Sequence, residues 1–315
     1  MELFTSILWL ALSLTLLIWG ANKFIDNASN IAGKIGISEF IIGLSVVALG
    51  TSFPEIFVGI SSIVNNNEEI ALGTIVGSNI SNIALIFGVS CIGYTAAVNP
   101  SSKRNFIALG MSVLVAIYAL SDLNISQLDS MLLILVLGYF IYVMASQLTN
   151  SNQAAEISDA TFLNLFTFLV IGLIALVIGS NYAVIYGEKI ALVIGIPKLI
   201  VGLSVLALGT SLPELAVTIS ALTKKKNQMV LGNIIGSNVL NIAVVMPILG
   251  IFSNQNYDAS IITRDMIVMS ALTLIFILIA LSFNYKNISP NIYRFLGVFL
   301  VSGYVTYIGF LSGIF

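Results

Sequence analysis

Two glutamates stand where an apolar chain tolerates charge least. Glu55 closes G-T-S-F-P-E and Glu214 closes G-T-S-L-P-E, each inside a run long enough to cross a bilayer. A carboxylate at that depth costs on the order of 2.5–3.5 kcal/mol on insertion scales, so it marks function unless it snorkels to water or makes a structural hydrogen bond. Its presence at two equivalent places favours function. Pro54 and Pro213 lack an amide hydrogen and clash with the carbonyls of Gly50 and Gly209. Taken alone, each proline reads as a packing kink. Beside the glutamates, the break is expected to turn carbonyls around Ala48 to Thr51, and around Ala207 to Thr210, into a cavity, because irregular backbone at membrane depth survives only where protein or water covers it. Thr51, Ser52, Thr210 and Ser211 add hydroxyls. The result is an all-oxygen environment suited to hard cations such as calcium and sodium.

A second motif repeats as well. Gly77 to Asn79 and Gly236 to Asn238 read G-S-N, followed by Asn82 and Asn241. Ser78 and Asn82, like Ser237 and Asn241, stand four apart on one helix face and can point at a common centre. Gly73 with Gly77, and Gly232 with Gly236, read as small residues for close helix approach. There is no histidine and one cysteine, Cys91, which excludes zinc, haem or copper sites built on those residues and any internal disulfide. Asp26, Asp122, Asp129, Glu156, Asp159, Glu188, Asp258 and Asp265 fall at or near expected loops and read as solvated.

The elements that must carry these residues are membrane helices. With 58% hydrophobic and 8% charged residues over 315, the chain belongs in a bilayer, and a net charge of −2 offers no surface for nucleic acid. Runs near 3–22, 38–63, 71–93, 105–121, 129–148, 162–186, 198–222, 229–252, 264–283 and 292–313 predict ten spans. The first lacks the flanks of a signal peptide and is expected to be retained. Gly43 to Ser62 recurs from Gly202 with 14 of 20 residues matched, and Ala71 to Asn82 from Val230 with 7 of 12, both at the 159-residue offset that separates Glu55 from Glu214. The chain reads as a duplication. An odd number of crossings per half inverts the second, an architecture that places ions at the repeat interface near mid-membrane. The expected organisation is a five-helix repeat over 1–150, a short cytoplasmic linker over 151–161 and an inverted repeat over 162–315. With both termini outside, nine of the 12 basic residues, among them Lys23, Lys34 and Lys224 to Lys226, fall on the cytoplasmic side.

Paired G-T-S-x-P-E and G-S-N-x-x-N segments in inverted halves resemble the alpha-repeats of the calcium/cation antiporter superfamily, in particular its sodium/calcium exchanger branch. The resemblance covers the whole layout and is most specific over Gly43 to Asn82 and Gly202 to Asn241. It implies Glu55 and Glu214 as central ligands shared by calcium and sodium. It adds oxygens from Thr51, Ser52, Ser78, Thr210, Ser211 and Ser237, carbonyls from Ala48 and Ala207, and amides from Asn82 and Asn241. No further cofactor is implied. Asn241, where potassium-dependent relatives carry Asp, implies that potassium is not needed, and G-T-S-x-P-E in place of G-N-x-x-E argues against protons as the main counter-ion. Three sodium ions per calcium, exchanged across a plasma membrane with both termini extracellular, complete the expectation. Calcium/proton exchange is the runner-up. A passive cation channel uses similar oxygens, and an intramembrane hydrolase would need its two acids without the surplus of neutral oxygens.

Overall fold

The computed structural model describes residues 2–65, 67–93, 103–148, 160–195, 209, 211–253, 255–282 and 289–312. Among these the chain is helical throughout, apart from one isolated bridge between Asn124 and Asn256. Helix α1 spans Glu2–Ile35, well past the expected end of the first span at residue 22. The helix runs on through Lys23 and Asp26 because these charges find partners and water without breaking it, Asp26 pairing with Lys224 at 2.7 Å. It stops at Gly36, whose φ of +72° is the left-handed turn that glycine takes without a Cβ penalty.

The second span is bent, as the prolines predict. Helix α2, Glu39–Thr51, and α3, Phe53–Val64, meet at 44°. Ser38 caps α2, its hydroxyl accepting from the Ile41 amide at 3.3 Å. Pro54 falls in the first turn of α3, where its missing N–H is harmless. The remaining helices are α4 Glu68–Ile92, α5 Lys103–Ala119, α6 Gln127–Leu148, α7 Phe162–Val193, α8 Leu212–Thr223, α9 Asn227–Phe252, α10 Ile261–Ser282 and α11 Pro290–Leu311. Seven described helices are long and apolar enough to cross a membrane, and the bent pair makes an eighth. Helix α5, at 17 residues, and α8, at 12, are shorter. The beginning of the expected seventh span and nearly all of the linker lie outside the described residues.

The duplication persists in the backbone at the 159-residue offset. Helices α3 and α8 begin and end in register, as do Glu68–Ser81 of α4 and Asn227–Leu240 of α9. Both of the latter then widen into π-helical segments, Asn82–Phe87 and Asn241–Val245, the kind of bulge often found at functional sites. Gly195, with φ of +88°, mirrors Gly36.

The surface is apolar, and the interior seals polar side chains among its apolar ones. Phe57, Leu163 and Phe295 are exposed, whereas Thr51, Asn105 and Asn238 are sealed inside. Such an outside suits lipid as the solvent. Helices α1 and α7 pack along each other: a β-carbon on Gly20, Gly172 or Gly179 would fall within 2.7 Å of a backbone nitrogen of the opposite helix. Helices α4 and α9 are the most deeply buried and form the centre.

Candidate functional site

Ser52 at the bend (φ −80°, ψ 0°) and its repeat counterpart Ser211 (φ −88°, ψ 0°) each precede a helix that carries a glutamate on its first turn. Both side chains are directed into the protein: Glu55 is 3% exposed and Glu214 1%. The two carboxyls lie close enough to interact directly. Ser52 donates to Glu214 Oε1 at 3.4 Å. The Thr51 hydroxyl lies 3.3 Å from Asn233 Oδ1 and 3.5 Å from the Ala48 carbonyl. One hydroxyl hydrogen serves one of these acceptors at a time. Ser211 shares a 2.6 Å hydrogen bond with Ser81.

Close helix contact makes this convergence possible. Gly232 and Gly236 lie flat against α2, so that a β-carbon on Gly236 would collide with Ala48 Cβ and the Leu44 carbonyl. That brings Asn233 of α9 to Thr51 of α2, while the Ser81–Ser211 bond ties α4 to α8. Each break is therefore braced by a helix from the other half of the sequence.

Of the twelve residues expected at the site, Ala207 and Thr210 lie outside the described residues. Ala48, Thr51, Ser52, Glu55, Ser78, Asn82, Ser211, Glu214, Ser237 and Asn241 are all buried in or beside the bends and the π-helical segments. Ser78 also lines a cavity of about 430 Å³ that extends to Asp265 and Tyr307. Polar atoms sealed from solvent without a hydrogen-bond partner among the described residues include Oε2 of Glu55 and Glu214, Oγ of Ser78 and Ser237, and Nδ2 of Asn82 and Asn241. These are three pairs at the offset of the repeat. Leaving such atoms unpaired is costly, more so for carboxylates, and the recurrence of the carboxyl and hydroxyl oxygens in both copies points to a ligand that they would coordinate.

The sequence reading did not single out Ser81 and Asn233, which bond to the expected residues Ser211 and Thr51. Ser81 and Asn233 match Leu240 and Thr74 at the repeat offset, so matching the halves gave no signal for them. Asp26 and Asp265, read as solvated, have partners: Asp26 pairs with Lys224, and Asp265 accepts from Arg264 at 2.7 Å and from Tyr307 at 2.6 Å.

The described residues hold no cluster of three His, Cys, Asp or Glu side chains. Instead, two carboxyls sit among hydroxyl and amide oxygens, a donor set that discriminates for hard cations and against soft metals. In a low-dielectric interior, two adjacent ionised carboxylates require a compensating positive charge.

A family model described as sodium/calcium exchanger protein matches residues 5–146 and 164–313. A putative antiporter, CaxA, from Alkalimonas amylolytica is 32% identical, covering 87% of this chain and 89% of its own. The sodium/calcium exchanger MaX1 of Methanosarcina acetivorans is 30% identical, with 95% of this chain and 96% of that protein covered. The structure of the sodium-calcium exchanger NCX_Mj, soaked with sodium and strontium, superposes with a TM-score of 0.81 at 28% identity over 98% of both chains. This integral membrane protein belongs to the sodium/calcium exchanger family.

Proposed function

We propose that the chain exchanges sodium for calcium across a membrane by alternating access. The observation that carries this reading is the meeting of Glu55 and Glu214, drawn from two copies of one motif and buried among neutral oxygens inside an apolar-surfaced bundle. With both carboxylates ionised, one calcium ion neutralises the pair and sodium ions compete for the same oxygens. Exchange rather than cotransport follows when the empty, doubly charged site is too costly to cross the low-dielectric barrier.

The finer reading has ten spans in two inverted repeats, both termini extracellular and a plasma-membrane location. The backbone register between α3–α4 and α8–α9 supports the duplication. Ion ligation is assigned to the ten described residues Ala48, Thr51, Ser52, Glu55, Ser78, Asn82, Ser211, Glu214, Ser237 and Asn241. With three sodium ions per calcium, each cycle moves one charge, worth about 2.3 kcal/mol per 100 mV. Potassium is not required. Helices α1 and α7 are the moving pair.

A calcium/proton antiporter is the second reading, favoured by one observation: two buried carboxyls close together can hold a proton between them. Uptake of radiolabelled calcium into sodium-loaded proteoliposomes separates the readings. Sodium exchange requires uptake that follows the outward sodium gradient and survives a protonophore. Uptake that follows only a pH gradient identifies the proton antiporter, and uptake indifferent to both gradients identifies a channel.

A further inference from the structure

Two asparagines outside the twelve expected residues keep an amide oxygen buried and unpartnered. Asn79 Nδ2 donates to the Ile75 carbonyl at 2.8 Å, and Asn238 Nδ2 donates to the Ile234 carbonyl at 2.7 Å. A carbonyl only accepts, so the amide nitrogen must be the atom facing it, and chemistry alone fixes which way Oδ1 points. Both Oδ1 atoms are sealed from solvent and have no partner among the described residues, and the side chains are 1% and 0% exposed.

The same local bond occurs elsewhere without this consequence. Asn27 and Asn65 also donate to the carbonyl four residues back, each at 2.7 Å, but Asn65 is exposed, and the Oδ1 of Asn27, one residue past Asp26 on α1, is not sealed without a partner. Asn79 and Asn238 have no such outlet. Each follows its serine, Ser78 or Ser237, and precedes Asn82 or Asn241 by three residues, about one sixth of a turn from it around the helix. Each also lies just before the π-helical widening of its helix. A buried acceptor kept free twice, at the flank of the same face, is expensive unless something donates to it or coordinates it.

We infer that Asn79 and Asn238 contribute two further oxygen donors to the transported cation through Oδ1, and that they serve sodium more than calcium. A neutral amide oxygen replaces part of an ion's hydration shell but adds no charge. That suffices for a monovalent ion, whereas neutralising calcium rests with Glu55 and Glu214. The inference rests on the cation-exchange reading of the site.

The test uses the full-length protein in lipid nanodiscs, measuring melting temperature against sodium and, separately, calcium concentration. Asn79→Leu and Asn238→Leu are near in size and remove the orphaned acceptor. Each is expected to weaken apparent sodium affinity about tenfold, the loss of one coordinating oxygen, comparable in size to a hydrogen bond to a charged group, with calcium affinity changed less than threefold. Melting without ions should stay level or rise, because an unpaired buried group has gone. Unchanged sodium affinity in both variants overturns the inference, and so does an equal loss for the two ions, which would assign the residues to the shape of the site. If a leucine variant does not fold, Asn79→Ala and Asn238→Ala are read by the same ratio. Glu55→Gln is the control for the underlying reading: ion-dependent stabilisation that persists in it overturns the cation site itself, whereas its loss beside unaltered asparagine variants overturns only the present assignment.

Discussion

The turns that follow α3 and α8 match in backbone at their described residues and differ in chemistry. Asn65 (φ −92°, ψ 10°) matches Lys224 (φ −92°, ψ 7°), and the Asn67 amide donates to the Ser62 carbonyl at 2.8 Å just as the Lys226 amide donates to Ala221 at 2.8 Å. After α3 the side chain folds back, with Asn65 Nδ2 on the Ser61 carbonyl at 2.7 Å. After α8 the side chains reach out. Lys224 pairs with Asp26 at 2.7 Å and with the Asn22 carbonyl at 3.0 Å, while Lys226 joins Glu39 at 2.7 Å and Ser29 at 2.5 Å. Ser220 adds a 2.7 Å bond to Asn22. Among the described residues, only the second turn carries such ties, joining it to α1 and α2. A transporter built on equivalent halves need not have equivalent faces.

Substitutions can test how far the equivalence goes. The largest effect is expected at the centre, where the halves act together: Glu55→Gln and Glu214→Gln should each reduce ion-driven calcium flux at least about a hundredfold, through loss of transition and ground-state charge compensation of several kcal/mol. Protein that folds normally but exchanges normally in either variant would remove the pairing. Next is the seam between α9 and α2. Gly236→Ala places a methyl against Ala48 and the Leu44 carbonyl, with an expected loss of about 1–3 kcal/mol, read as a lowered melting temperature.

A change of selectivity should follow from making one half more acidic. Asn241→Asp, set against Asn82→Asp, is expected to make flux respond to potassium; no change in any ion dependence would count against the role of Asn241. The smallest effect on stability is expected at the asymmetric turn. Lys226→Met and Glu39→Gln each remove a partly exposed ion pair and should shift stability by no more than about 1 kcal/mol. They should nevertheless change the ratio of apparent sodium affinities at the two faces, since the pair restrains one conformation over the other. Equal ratios in wild type and variants would mean that the bonds after α8 are static struts.

Much of this was legible in the sequence because duplication writes a motif twice. The glutamates, the bend before Pro54 and the register of α3 with α8 all follow from residues that recur. What recurs in only one half was hidden. Asn233 takes the place of Thr74, and Ser81 that of Leu240, yet both bond across to the opposite half. The length of α1 was hidden for a different reason. A hydropathy reading stops at charges, but Asp26 and Lys23 sit on a helix that continues because neighbouring groups receive them, Asp26 through Lys224 and Lys23 over the ring of Phe168. The π-helical segments leave no mark in composition, since their residues are as apolar as those of the helix around them.

The glycines between α1 and α7 carry a mechanical consequence. Where main chain touches main chain, there are no interlocking knobs to be sprung one at a time, and a push on either rod passes to the other undiminished. Helix α7 makes none of the bonds to Lys224 or Lys226, yet it inherits their tether through Gly20, Gly172 and Gly179. Spin labels on the lipid-facing sides of the two rods should therefore travel the same distance.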